Sequence, residues 1–299
     1  LTENDEKRAN DSAVELAIGP RYRDLVGFRI NRVWPTARRR LIGPFIFYDH
    51  MTARELPPGE GLDVPPHPHI GLATVTYLFS GEIMHRDSLG TEQVIRPGDL
   101  NWMIAGEGIT HSERTSDAYR EARSVLHGTQ AWVALPLARE SGPADFIHVG
   151  ANELPERIID GVRVRLIAGS GFAMTSPLKG DTPLHYAEAH FSAGGALELD
   201  RALGQRAAYI VSGELRCDGV RLDQGRLFVF NDLAAVRLTA AADAHVMLLG
   251  GAPLPEGRLV WWNFVASTQQ QIDAARQRWA DGAFPSVPGD SGHMDMPAW

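Results

Sequence analysis

The sequence predicts an all-β protein of two similar barrels in tandem, ending in one short helix. Three observations predict this. Short β-type runs recur between Gly, Pro and Asp turns. One such run returns later with its turn, in the same order. Only one segment, near the end, has helical periodicity.

The first 17 residues, opening LTENDEKRANDS, are charged and polar and read as a flexible, solvated tail. The runs that follow include Phe45-Ile46-Phe47-Tyr48, Thr74-Val75-Thr76-Tyr77-Leu78-Phe79, Val94-Ile95, Ala131-Trp132-Val133 and Val162-Arg163-Val164-Arg165-Leu166-Ile167. The repeat is Tyr77-Leu78-Phe79-Ser80-Gly81-Glu82-Ile83, which returns as Tyr209-Ile210-Val211-Ser212-Gly213-Glu214-Leu215. A Gly-led turn follows each copy, at Pro97-Gly98-Asp99 and at Gln224-Gly225-Arg226. One barrel is therefore expected over residues 18–150 and a second over 151–299. In the helix, over 268–279, Ile272, Ala275 and Trp279 recur on one face and Gly282 follows as a stop. Trp261, Trp262 and Phe264 precede it and read as core, or as the place where the helix docks back on the first barrel, ahead of a ligand-binding aromatic patch. Residues 291–299 show no periodicity and read as a loose tail.

At 299 residues, 44% hydrophobic, the chain can bury one large or two medium cores. A net charge of -8, with no Lys/Arg block, argues against a nucleic-acid surface as the main function, and no direct nucleic-acid partner is expected. Cys217, the single cysteine, excludes an intrachain disulfide and reads as packing in a reducing cytoplasm. No apolar leader opens the sequence and no apolar run is long enough for a bilayer, so a cytoplasmic protein without a membrane partner is expected.

The chemistry concentrates in Pro65-Pro66-His67-Pro68-His69-Ile70-Gly71 and, downstream, in His111-Ser112-Glu113. Alternate side chains of a strand share a face, so His67 with His69, and His111 with Glu113, each form a same-face pair. Neighbouring strands joined by the turn at Gly98 and the Gly106/Gly108 loop can bring the pairs to one point. Three imidazoles and a carboxylate suit Fe(II), Mn, Ni, Cu or Zn. Structural zinc usually draws on thiolates, which this set lacks. A six-coordinate metal would keep two positions open for a bidentate substrate or dioxygen.

His67-Pro68-His69, Thr74-Val75-Thr76-Tyr77-Leu78, His85-Arg86-Asp87-Ser88, Pro97-Gly98-Asp99, Ala105-Gly106 and His111-Ser112-Glu113 resemble the motif block of the pirins, bicupin proteins. The resemblance continues through Leu126-His127-Gly128-Thr129-Gln130-Ala131-Trp132-Val133 and Gly250-Gly251-Ala252-Pro253-Leu254 to Val260-Trp261-Trp262-Asn263-Phe264-Val265. It implies two tandem cupin barrels of jelly-roll type. It also implies His67, His69, His111 and Glu113 as ligands of one metal, iron(II) first, and a second barrel that is a degenerate copy without ligands. Ala73 stands where the cupin motif usually has a glutamate. Several pirins are similar to quercetin 2,3-dioxygenases, which implies a flavonol-like substrate, dioxygen, and loss of carbon monoxide on ring opening. Glu113 would then double as the base for the substrate hydroxyl. The alternative implied by the family is an iron-binding, redox-sensitive regulator that meets a protein partner, as a transcription cofactor does.

Among the remaining residues, His85 and Asp87 read either as support for a ligand imidazole or as satisfying the turn at Leu89-Gly90. His50 could approach the metal from a neighbouring strand, although a lone histidine usually packs or hydrogen-bonds. His127 reads as structural, and His148, His245 and His293 read as surface residues. In the second half, His185 and His190 form no HxH pair.

Overall fold

In the computed structural model, residues 13–25, 28–232 and 235–297 are described. Residues 1–12 of the expected tail, and the final two residues, lie outside them. Strands dominate, and the chain divides into two compact units, each with one large and one smaller sheet among the described residues; the unit holding the histidine motifs adds the antiparallel pair Leu259–Trp261 and Phe264–Ala266. These are two cupin barrels. Neither is a single stretch of chain.

The unit holding the histidine motifs comprises Tyr22–Trp34, Ile46–Ala151 and Pro255–Trp299. Its larger sheet orders the strands Asp145–Val149, Leu100–Ile104, Leu72–Ser80, Ser124–Ala134, Phe45–Leu56, Phe28–Trp34 and Arg21–Leu25. Its smaller sheet orders Asp63–His69, Ile109–Arg114, Ile83–Asp87 and Glu92–Ile95. Phe28, Ile30, Leu62, Val64, Leu78 and Leu126 belong to its buried core.

The second unit comprises Asn152–Leu254, Pro35–Phe45 and the described residues up to Arg21. Here the tail expectation meets a strand. Val14–Ile18 pairs with Leu227–Phe230, and Leu16 and Ile18 are buried while Glu15 is exposed. The alternation was present in the sequence, but it is short and abuts a charged stretch. Cys217 lies within this unit's apolar core, and burial pushes its thiol up to about 11, consistent with a packing role.

The duplicated run has the same local geometry in both units. Gly81 and Gly213 adopt φ of +95° and +81° between successive strands. A Cβ at either would come within 2.7 Å of a backbone carbonyl oxygen, of Val125 or of Asp243, so no other residue fits. The Gly98 amide donates to the Leu78 carbonyl at 2.9 Å and the Gly225 amide to that of Ile210 at 2.8 Å.

The longest helix among the described residues runs Gln269–Ala280 and starts from a Thr268/Gln271 capping box; the other two α-helices, Asp117–Arg120 and Leu137–Glu140, are single turns. Ile272, Ala275 and Trp279 are its buried residues, and they pack with Ile70, Phe264 and Phe284, with Trp261 and Trp262 against the same cluster. The helix thus belongs to the unit holding the histidine motifs. The segment after it is anchored, not loose. Trp279 Nε1 donates to the Met294 carbonyl at 3.1 Å, the Met294 amide donates to the Pro66 carbonyl at 3.0 Å, and His293 stacks on Trp279. Arg114 forms two hydrogen bonds to the Asp290 carboxylate, at 2.6 and 3.0 Å.

Candidate metal centre

The strand Ile109–Arg114 lies between the other two that matter. On one side His111 faces His67 and Ile109 faces His69; on the other, His111 faces Asp87 and Glu113 faces His85. The register slips after His111, because Glu113 pairs with Val64 and leaves Pro65 and Pro66 opposite the single residue Ser112. That bulge explains the prolines: a bulged residue needs no ladder N–H, and proline has none to offer.

His67, His69 and His111 are all buried, and each has a ring nitrogen within 4.8 Å of one on the other two. Their hydrogen bonds fix which nitrogen faces the common point. His67 Nδ1 donates to the Pro65 carbonyl at 2.9 Å, and His69 Nδ1 to the Asn263 carbonyl at 3.0 Å. A carbonyl only accepts, so both protons sit on Nδ1 and both Nε2 atoms carry lone pairs. His85 Nε2 donates to Asp87 Oδ2 at 3.0 Å, and its Nδ1 lies 3.4 Å from His111 Nδ1. His69 Nε2, with its proton on Nδ1, accepts from His111 Nε2 at 3.1 Å.

Burial holds His67 down to about 4 and, aided by neighbouring histidines, holds His69 and His111 well below the ordinary imidazole range. A metal arriving at this point would displace the proton shared between His111 Nε2 and His69 Nε2 and meet three imidazole nitrogens. The donor set fits a divalent transition metal.

Glu113 stands apart from the three. Its carboxylate is not in the group of mutually close ligand atoms, although it lines the same cavity as His67 and His69. Burial raises its carboxyl, and Thr76 Oγ1 lies 3.4 Å from Oε1 while also donating to Gln130 Oε1 at 2.8 Å. Ala73 is fully buried, pairs with Ile104 and Val133, and does not line the cavity. Asp87 serves both readings proposed for it: Oδ2 accepts from His85, and Oδ1 accepts from the Leu89 and Thr91 amides in the turn. His50 does not reach the centre; its Nε2 lies 2.8 Å from that of His127.

The cavity holds about 270 Å³. Phe47 and Trp132 stack at 4.0 Å along one side, and Trp132 meets His69 edge-on. Arg32 covers the Phe47 ring and pairs with Asp49 through two hydrogen bonds, of 3.0 and 2.8 Å. Sequence reading missed these residues. Phe47, Asp49 and Met51 alternate along one strand, and Gln130 and Trp132 along another, so period-2 spacing was the available signal.

A family model described as Pirin matches residues 27–133, and one described as Pirin C-terminal cupin domain matches 186–285. A Pirin-like protein of Caulobacter vibrioides is 42% identical over 284 residues, covering 94% of this chain and 98% of that protein. A crystal structure of quercetin 2,3-dioxygenase from Acinetobacter baumannii superposes with a TM-score of 0.89 at 31% identity, covering 98% and 97% of the two chains. A second structure of that name and organism gives 0.86 at 25% identity, covering 92% and 99%.

Proposed function

The chain belongs to the pirin family, and from that premise we propose that it is a metal-dependent oxidoreductase of the quercetin 2,3-dioxygenase type, cleaving a flavonol-like substrate with dioxygen. His67, His69 and His111 would hold one divalent metal, iron(II) first, through Nε2, with Glu113 as the fourth ligand. A bound metal supplies Lewis acidity that acidifies a coordinated enol hydroxyl, and a redox partner for dioxygen.

The protein's own residues do the rest. The Phe47 and Trp132 rings, with Ile30, Met51, Leu62 and Val64, form the apolar part of the cavity wall, against which a planar aromatic molecule would lie. Glu113 takes the substrate hydroxyl proton; its raised carboxyl, next to the imidazoles, supports the role of base. Thr76 Oγ1, hydrogen-bonded to Gln130, flanks that carboxylate at 3.4 Å.

The observation that carries the reading is a cavity of about 270 Å³ bounded both by stacked aromatic rings and by two of the three converging imidazoles. A regulator that only offers a metal-dependent surface needs no such volume. Among the described residues no helix is long and apolar enough to cross a membrane, and residence in the cytoplasm is part of the proposal.

The test is anaerobic purification, metal analysis, and quercetin consumption with oxygen uptake for wild type and His69→Ala. One metal equivalent and all turnover should be lost together in the variant. Metal lost without any wild-type turnover would favour the regulator, and equal metal in both proteins would reject the site.

A further inference from the structure

The second barrel carries another convergence of ligand-type side chains, away from its core. On the strand Leu184–Phe191, Ala187, Ala189 and Phe191 point into the barrel. Glu188 and His190 alternate with them and so point outward. His190 lies directly opposite His245 on the strand Ala244–Gly251, whose Ala244 and Val246 also face the core. The three outward residues therefore meet on one face of the larger sheet.

Glu188 Oε1 lies 3.1 Å from His190 Nε2 and 2.9 Å from His245 Nε2. The imidazoles stack nearly parallel, 4.2 Å apart with 12° between their planes. One ligand atom from each of the three lies within 4.8 Å of the others. The carboxylate side chain is 9% exposed and His245 13%, whereas His190 is 37% exposed, so the cluster is walled on one side and open on the other. A groove lined by Arg163, Ser192, Ser212 and Asp243 leads to it.

We propose that Glu188, His190 and His245 bind a second divalent transition-metal ion, of the zinc or cobalt class, with the open side filled by water. Two imidazoles and one carboxylate are a donor set these ions accept. The neighbouring guanidinium groups of Arg163 and Arg165 oppose a cation, but Glu156 draws both, at 3.1 Å each. Burial also holds His245 in the neutral form that ligates. A histidine–carboxylate ion pair alone would account for the contacts too, and the two readings differ in whether metal is retained.

The experiment is zinc equilibrium dialysis of the metal-free full chain, with metal analysis. Cobalt(II) titration read by visible absorption is the second measurement. The variants are His190→Ala/His245→Ala and the milder His190→Gln, at a half-exposed position that leaves the core untouched. The double variant should hold one zinc equivalent fewer than wild type, and His190→Gln should bind that equivalent at least about tenfold more weakly. His69→Ala should keep it, which separates this site from the first barrel whatever that barrel binds. Unchanged zinc stoichiometry and affinity in both His190 variants would overturn the proposal.

Discussion

Metal-free protein should lose stability in the first barrel as pH falls from 6.5 toward 4. His67 is buried, and its folded-state value is about 4 against 6.5 in an unfolded chain. Below 6.5 the unfolded chain takes up a proton that the barrel refuses. The contribution of His67 is therefore complete above 6.5 and drains away until pH reaches about 4. Each pH unit between those two values is worth about 1.4 kcal/mol, so this histidine alone removes about 3 kcal/mol across that window. His69 and His111 shift in the same direction and steepen the loss. Glu113, raised by burial, works in the opposite sense and softens it at the acid end. Against a total stability on the order of 5–15 kcal/mol the effect is large. All six tryptophans among the described residues fall within the stretches of this unit, so their fluorescence in urea reports on it. The assay is the urea midpoint of chelator-treated protein between pH 7.5 and 5, for wild type and His67→Gln. A flat wild-type profile, or an equal slope in the variant, would refute the linkage.

Three further outcomes are expected. His85→Ala removes the ring that His111 Nδ1 meets at 3.4 Å and should weaken zinc binding at the first barrel by about 10–100-fold in a chelator competition; unchanged affinity would show that His111 is held by other means. Gly71→Ala should cost more than about 1 kcal/mol in urea unfolding, since φ is +66° and a Cβ would stand 2.0 Å from the Val265 carbonyl oxygen; a cost near zero would contradict that approach. Asp290→Asn should destabilise by about 1 kcal/mol at pH 7, because Arg114 holds the carboxyl down to about 2. That stability is present above 3.8 and is lost as pH falls toward 2, so wild type and variant should converge at the acid end of a denaturation series.

The barrels were legible because their strands are short, alternate in polarity and repeat with their turns. The three imidazoles were legible because strand spacing of two residues places His67 with His69 and lets His111 face them. Glu113 was less so: the same rule puts it beside His111, and the slip caused by Pro65 and Pro66 shifts its pairing partner to Val64. Asn263, whose carbonyl fixes the His69 tautomer, is 194 positions away. No local pattern reports a contact of that separation. The same limit hid the destinations of Val14–Ile18 and of the last segment, whose anchors are Leu227–Phe230 in one case and Pro66 and Arg114 in the other.

The bond from His69 to Asn263 sets an order of assembly. A ribosome finishes the strands carrying His67, His69 and His111 long before it reaches residue 263, and the helix and the Met294 anchor come later still. Until then the His69 ring lacks the acceptor that holds its tautomer, and the wall formed by Trp262 and Met294 is missing. The half of the chain that is made first is thus completed last. A nascent or C-terminally clipped chain would carry the three imidazoles without the carbonyl that aims the His69 ring.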